Sequence, residues 1–170
     1  MATPREWATG YLSQAREDLK GAAAVSGQAP SVFGMLLQMT FEKMAKAALL
    51  RSNQITIDGA QRTHAAAGRM VHVLRLNRRI LRDLGEGNEY AWKEVFPLVT
   101  ELERAHPQIA AADAPQLEYP WEDAATREIR WPARDLPVAR RFGDPQFSLG
   151  AHMLKFAAQL SEQFDAVFPP

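Results

Sequence analysis

An all-α fold, an up-and-down bundle of four or five helices with a proline-rich wrapping segment before the C-terminal helix, follows from three observations. Apolar residues recur at helical steps of three and four over five stretches. No stretch reads as a convincing strand, and Asn and Gly hairpin signals are missing. Six prolines, Pro107, Pro115, Pro120, Pro132, Pro137 and Pro145, crowd into residues 106–147. At 170 residues the chain suits one domain over 1–170, large enough to bury a core without disulfide or structural metal.

The first helix is expected from about Pro4 to Ala24, with Pro4 in its first turn and Trp7, Tyr11, Ala15 and Leu19 along one face. GQAP, residues 27–30, breaks it. A second helix starts near Ser31 as N-cap and carries Phe33, Leu37, Thr40, Met44 and Ala47 inward, with Glu42, Lys43 and Lys46 on the wetter face and Glu42 paired to Lys46. Asp58-Gly59 signals a turn. The third helix covers Thr63–Leu84: Met70, Val73, Leu74, Leu76, Ile80, Leu81 and Leu84 form its apolar stripe, and Arg75, Arg78, Arg79 and Arg82 the opposite face, onto which His64 also projects.

GEGNE, residues 85–89, makes the next turn, and a fourth helix, roughly Asn88–Ala105, buries Trp92, Val95, Phe96, Val99 and Leu102. Pro97 must kink it or mark a restart. Residues 106–147 are long for a connection without periodicity, so they wrap the bundle as a flap with a short helical piece near Glu122–Ile129. The last helix, about Ser148–Val167, presents Leu149, Met153, Phe156, Leu160 and Phe164 on one face.

With 46% hydrophobic and 24% charged residues the composition is that of an ordinary globular protein, and no apolar run is long enough to cross a bilayer. There is no cysteine, which excludes disulfides and thiolate chemistry, and a cytoplasmic location is expected. Net charge is zero but uneven: residues 1–84 carry twelve Lys/Arg against six Asp/Glu, and residues 85–128 carry three against ten. A local basic patch facing RNA or the acidic segment is compatible with this, while the balanced total argues against a dedicated nucleic-acid binder.

Four stretches carry a family resemblance. WATGYLSQAREDLKGA, residues 7–22, lies in the first helix; LLQMTFEKMAKAALL, residues 36–50, places a Glu-Lys pair before alanines and leucines; Thr63-His64 comes after a short loop; EIRWPARD, residues 128–135, precedes the last helix. In order and spacing along nearly the whole chain these resemble the HEPN-domain family. The resemblance implies a helical bundle acting as a ribonuclease toxin, as the partner of a small nucleotidyltransferase, or as a non-catalytic binding module, within a stress, defence or toxin-antitoxin system. The family's nucleases carry Arg, four to six residues, then His. Here Arg62 and His64 are separated by one residue, Arg69 and His72 by two, Arg104 and His106 by one, and Arg141 and His152 by ten. That catalytic pair is not expected.

Metal-free RNA cleavage needs a proton acceptor and a cation to steady the phosphate, which points to His64 with Arg75 and Arg78 as the catalytic candidates, assembled across a homodimer. The preferred reading is structural, with His64 at a helix start and the arginines as a solvated face. A ligand-binding alternative places RNA bases, a nucleotide or another small molecule on Arg79, Tyr119, Trp121, Arg130, Trp131 and Arg134, in the groove between bundle and flap; the preferred reading is again that the aromatics pin the flap. No cofactor and no metal is expected. His64 and His72 are about 12 Å apart on a helix, too far to share an ion. Glu103-x-x-His106 is half of a di-iron motif without its second copy, and His106 is read as ending the helix.

Overall fold

The computed structural model describes residues 2–85, 89–110 and 114–169, with the side chains of residues 78, 79, 83 and 85–93 outside that description. The turn expected at GEGNE and the burial expected for Trp92 lie outside the described residues. The described chain is mostly helical, with ten helical segments and one two-stranded hairpin.

α1 (Pro4–Val25) starts in a capping box: the Thr3 hydroxyl accepts the Glu6 N–H, and the Glu6 carboxylate accepts the Thr3 N–H at 2.7 Å. Its buried face runs through Ala8, Leu12, Ala15 and Ala22, so the expected line of Trp7, Tyr11 and Leu19 lies half-buried at the border. Small residues at this face let α1 lie close along α2 (Pro30–Arg51), its most extensive neighbour. α2 opens on Pro30 with Ala29 as N-cap, and Ser31, expected to cap it, lies inside the first turn. Fourteen of the 22 residues of α2 are buried, which makes it the central helix of the bundle.

α3 (Ile57–Arg62) is capped by the Thr56 hydroxyl, which accepts the Gly59 N–H at 3.1 Å, so Asp58-Gly59 sits within a short helix rather than a turn. The helix expected over Thr63–Leu84 is two: α4 (Ala67–Leu76) and α5 (Arg78–Gly85). Asn77 divides them because its backbone leaves the helical region and its side chain accepts the Ile80 N–H at 3.2 Å, capping α5. Met70, Leu74, Leu81 and Leu84 are buried as expected, whereas Leu76, next to the break, is 72% exposed and Val73, on the outer side of α4, is 41% exposed.

α6 (Glu89–Arg104) runs through Pro97 without a restart and buries Val95, Phe96, Val99 and Leu102. The flap holds a hairpin, β1 (Trp121–Glu122) antiparallel to β2 (Ile129–Arg130), where a helical piece was expected. Asp123 supplies the turn signal that Asn or Gly supplies elsewhere: its carboxylate accepts the Ala125 and Thr126 N–H groups, and Arg127 takes a positive φ of 61°. Pro132 and Pro137, each at a first helical turn, then open α7 (Pro132–Asp135) and α8 (Pro137–Phe142).

Phe142 docks α8 against α2, edge-on to Phe33 at 5.1 Å. Gly34 and Gly150 make the slot: a Cβ on either would lie 3.2 or 3.1 Å from the Phe142 ring. The expected C-terminal helix is α9 (Leu149–Glu162) and α10 (Phe164–Val167), interrupted at Gln163. Met153, Phe156, Leu160 and Phe164 are buried, with Phe156 stacked on Phe41 of α2. Among the described residues no helix is long and apolar enough to cross a membrane.

Candidate functional site

The chemistry-bearing side chains converge on the middle of α2. Glu42 and Lys46, one turn apart, pair at 2.7 Å as expected, but both are buried, at 7% and 4% exposure, instead of lying on a wet face. A helix apolar all round has no wet face, so its charges must be satisfied within the core. Gln38 donates to Glu42 Oε2 at 2.8 Å, and the Lys46 ammonium lies 5.5 Å from the centre of the Tyr11 ring.

Two histidines complete the cluster, each delivered by chain that has just left a helix. Thr63 ends α3 in an extended conformation, and residues 63–66 run on to α4 with Ala66 fully buried. His64 therefore lies before α4, not on a helix face beside arginines. Its Nδ1 is 3.2 Å from Glu42 Oε1, close but not aligned for a hydrogen bond. His106 stands just past the last turn of α6; its Nδ1 accepts the Gln108 N–H at 3.1 Å, and its Nε2 faces Glu42 Oε2 at 3.9 Å. The two imidazoles stack, centroids 4.2 Å apart and planes 18° from parallel.

Glu103 and His106 thus act together on one segment, though not as a di-iron half-site. The Glu103 carboxylate accepts the Gly68 N–H at 3.0 Å at the start of α4, while His106 covers His64 four residues earlier.

Burial opposes the charge on Glu42, but the hydrogen bonds from Lys46 and Gln38, with the charges of Lys46 and His64, outweigh it and hold the carboxyl below its ordinary value. Burial lowers His106, and the neighbouring His64 lowers it further. Tyr11 is raised by burial and then by the charge of Glu42. Among the described residues, the charges acting on His106 are those of His64, Glu42, Glu118 and Lys46.

Arg75 lies on the exposed side of α4, and the side chains of Arg78 and Arg79 are outside the described residues. In the flap, Trp121 is buried, Tyr119 is 59% exposed and Trp131 is 42% exposed. Arg134 covers Trp131, its guanidinium 3.5 Å from the ring centre, and bonds Asp135. Arg130 reaches Asp123, Glu128 and Asp135. A groove of about 890 Å³ runs elsewhere, between α1 and α9, floored by Leu19, Ala23, Leu154 and Ala158; residues 119–134 do not line it.

Sequence reasoning singled out His64 but set it on an arginine face of a helix, and missed Glu42, Lys46 and His106 as its companions. Compared with family models, curated proteins and solved structures, the chain matches none of them.

Proposed function

We propose that this chain is a HEPN-like binding or interaction module, working as a homodimer beside a nucleotidyltransferase or within a stress, defence or toxin-antitoxin system, and not a ribonuclease of the family's usual kind. The observation that carries the second half is the setting of His64. It is packed on His106 and held against Glu42, in a cluster whose cation is the buried Lys46. A catalytic histidine needs a cation that meets the scissile phosphate, and an ammonium bound to a buried carboxylate is already spent. The first half rests on the helical bundle and on the four quoted stretches.

The test is incubation of purified protein with RNA in the presence of chelator, with size measured in parallel. Intact RNA over long incubation and a dimer at micromolar concentration agree with the reading. Metal-independent cleavage that disappears in His64→Ala overturns it in favour of a divergent ribonuclease acting as a dimer.

A further inference from the structure

We infer that Glu42, His64 and His106 form a binding site for a divalent transition-metal ion of the zinc, cobalt or nickel class, filled when Lys46 swings off the carboxylate. Two imidazoles and one carboxylate are the donor set such ions select over magnesium or calcium. Among the described residues these three each bring one donor atom within 4.8 Å of the others. Ligand atoms about 2.0–2.2 Å from one tetrahedral ion stand roughly 3.4 Å apart; the observed Glu42 to His64 and Glu42 to His106 separations are 3.2 and 3.9 Å. The two rings, stacked with their planes 18° from parallel, must tilt out of the stack to aim both lone pairs at one ion.

The decisive atom is His64 Nδ1. It is buried and lacks a hydrogen-bond partner although a carboxylate oxygen lies beside it. Of the buried side-chain nitrogens without a hydrogen-bond partner among the described residues, this one lies against a carboxylate and a second imidazole, and a shared ion satisfies Nδ1 and Glu42 at once. The donors come from α2, from the 63–66 segment and from the end of α6, so the ion ties three parts of the chain together. The His64 and His106 side chains keep 22% and 12% exposure, so the cluster is not sealed from solvent.

Two groups compete with the ion. Lys46 already neutralises Glu42 at 2.7 Å; displaced, it stays near the Tyr11 ring. The Gln108 N–H donates to His106 Nδ1, which keeps the proton of the neutral ring on Nε2, the atom that faces Glu42. Binding at Nε2 moves that proton to Nδ1, since a metal-bound imidazole ordinarily donates through its other nitrogen. The Gln108 amide must then turn away. These competitors set a modest affinity and make it adjustable.

Full-length protein dialysed against chelator is titrated with Co2+, followed by visible absorption, and with Zn2+, followed by calorimetry. One ion per chain is expected. His106→Ala weakens it by about tenfold or more, Lys46→Met tightens it, and His72→Ala, on the exposed side of α4, leaves it unchanged. No binding up to millimolar metal overturns the site, as does binding that survives His106→Ala or vanishes with His72→Ala; unchanged affinity in Lys46→Met overturns the exchange with Lys46. If His106→Ala does not fold, histidine NMR signals of the natural chain decide the matter: Zn2+ must move those of His64 and His106, and movement confined to His72 or His152 overturns the site.

Discussion

His64 and His106 lie face to face, 4.2 Å between ring centroids, with one nitrogen of each 3.2 and 3.9 Å from a Glu42 carboxylate oxygen. The contact closes the start of α4 onto the end of α6. Its strength depends on how many positive charges gather round one carboxylate, and that number depends on pH.

Acid loosens this contact. His106 titrates below its ordinary 6.5 because burial and the adjacent His64 disfavour its charged form. The unfolded chain therefore binds that proton more tightly, so the stability concerned is fully present above about pH 6.5 and is lost as pH falls through the lower folded value. Glu42, held below 4.5, adds a second loss at lower pH, present above its unfolded value and gone once the folded carboxyl protonates. The melting temperature of the natural chain should drop between about pH 7.5 and about pH 5.5, and His106→Gln should flatten that drop. Equal slopes in the two proteins would remove His106 as the cause.

Glu103 and Gly68 are coupled. Glu103 accepts the Gly68 N–H at the start of α4, and a Cβ at position 68 would lie 2.9 Å from the same carboxylate. Glu103→Ala removes a cap and should cost about 1 kcal/mol. Gly68→Ala gains up to about 1 kcal/mol of helix propensity but pushes the carboxylate off, so alone it should be nearly neutral. Made in the Glu103→Ala chain it should stabilise by roughly 0.5–1 kcal/mol. Denaturant midpoints measure all three, and strict additivity would show that the cap is not made.

The bundle was legible because apolar spacing at three and four residues reports which side of a helix is buried. Breaks governed by one side chain were not: Asn77 caps forward onto Ile80 and splits a helix whose stripe continues across the break. Asp123 makes a hairpin turn without Asn-Gly. The site was half legible. Charges spaced Glu42 to Lys46 are usually a surface pair, and only the apolar residues on every side of them, Phe41, Met44, Ala45 and Ala47, signal that this pair is inside. Nothing local marks His106 as the neighbour of His64, because loop paths bring them together.

The flap aromatics divide into an anchor and an outer face. Trp121 is 7% exposed and Trp131 is 42% exposed beneath the Arg134 guanidinium. Trp121→Ala should cost about 3–5 kcal/mol and open residues 107–147 to proteolysis. Trp131→Ala should cost under about 1 kcal/mol, since surface changes of this kind act weakly. If Trp131 is instead part of a nucleotide site, a nucleotide at a hundred times its dissociation constant stabilises the natural chain by about 2.7 kcal/mol, and Trp131→Ala abolishes the shift. A thermal-shift series with nucleotides separates the two roles.

The pair in α2 should fail asymmetrically. Glu42→Gln leaves the Lys46 ammonium buried with the Tyr11 ring as its remaining counterpart, an uncompensated charge of the kind that costs about 3–5 kcal/mol. Lys46→Met leaves Glu42 with Gln38 and two imidazoles. Removing Lys46 removes one of the charges that lower His106 and leaves Glu42 favouring its protonation, so the loss should be smaller and should shrink as pH falls from about 8 to about 6. Glu42→Gln has no such rescue, because lowering pH only adds positive charge around Lys46. Urea unfolding of both variants at the two pH values checks the order. Equal losses, or a Lys46→Met loss that grows on acidification, would mean that His106 does not share the charge of Glu42.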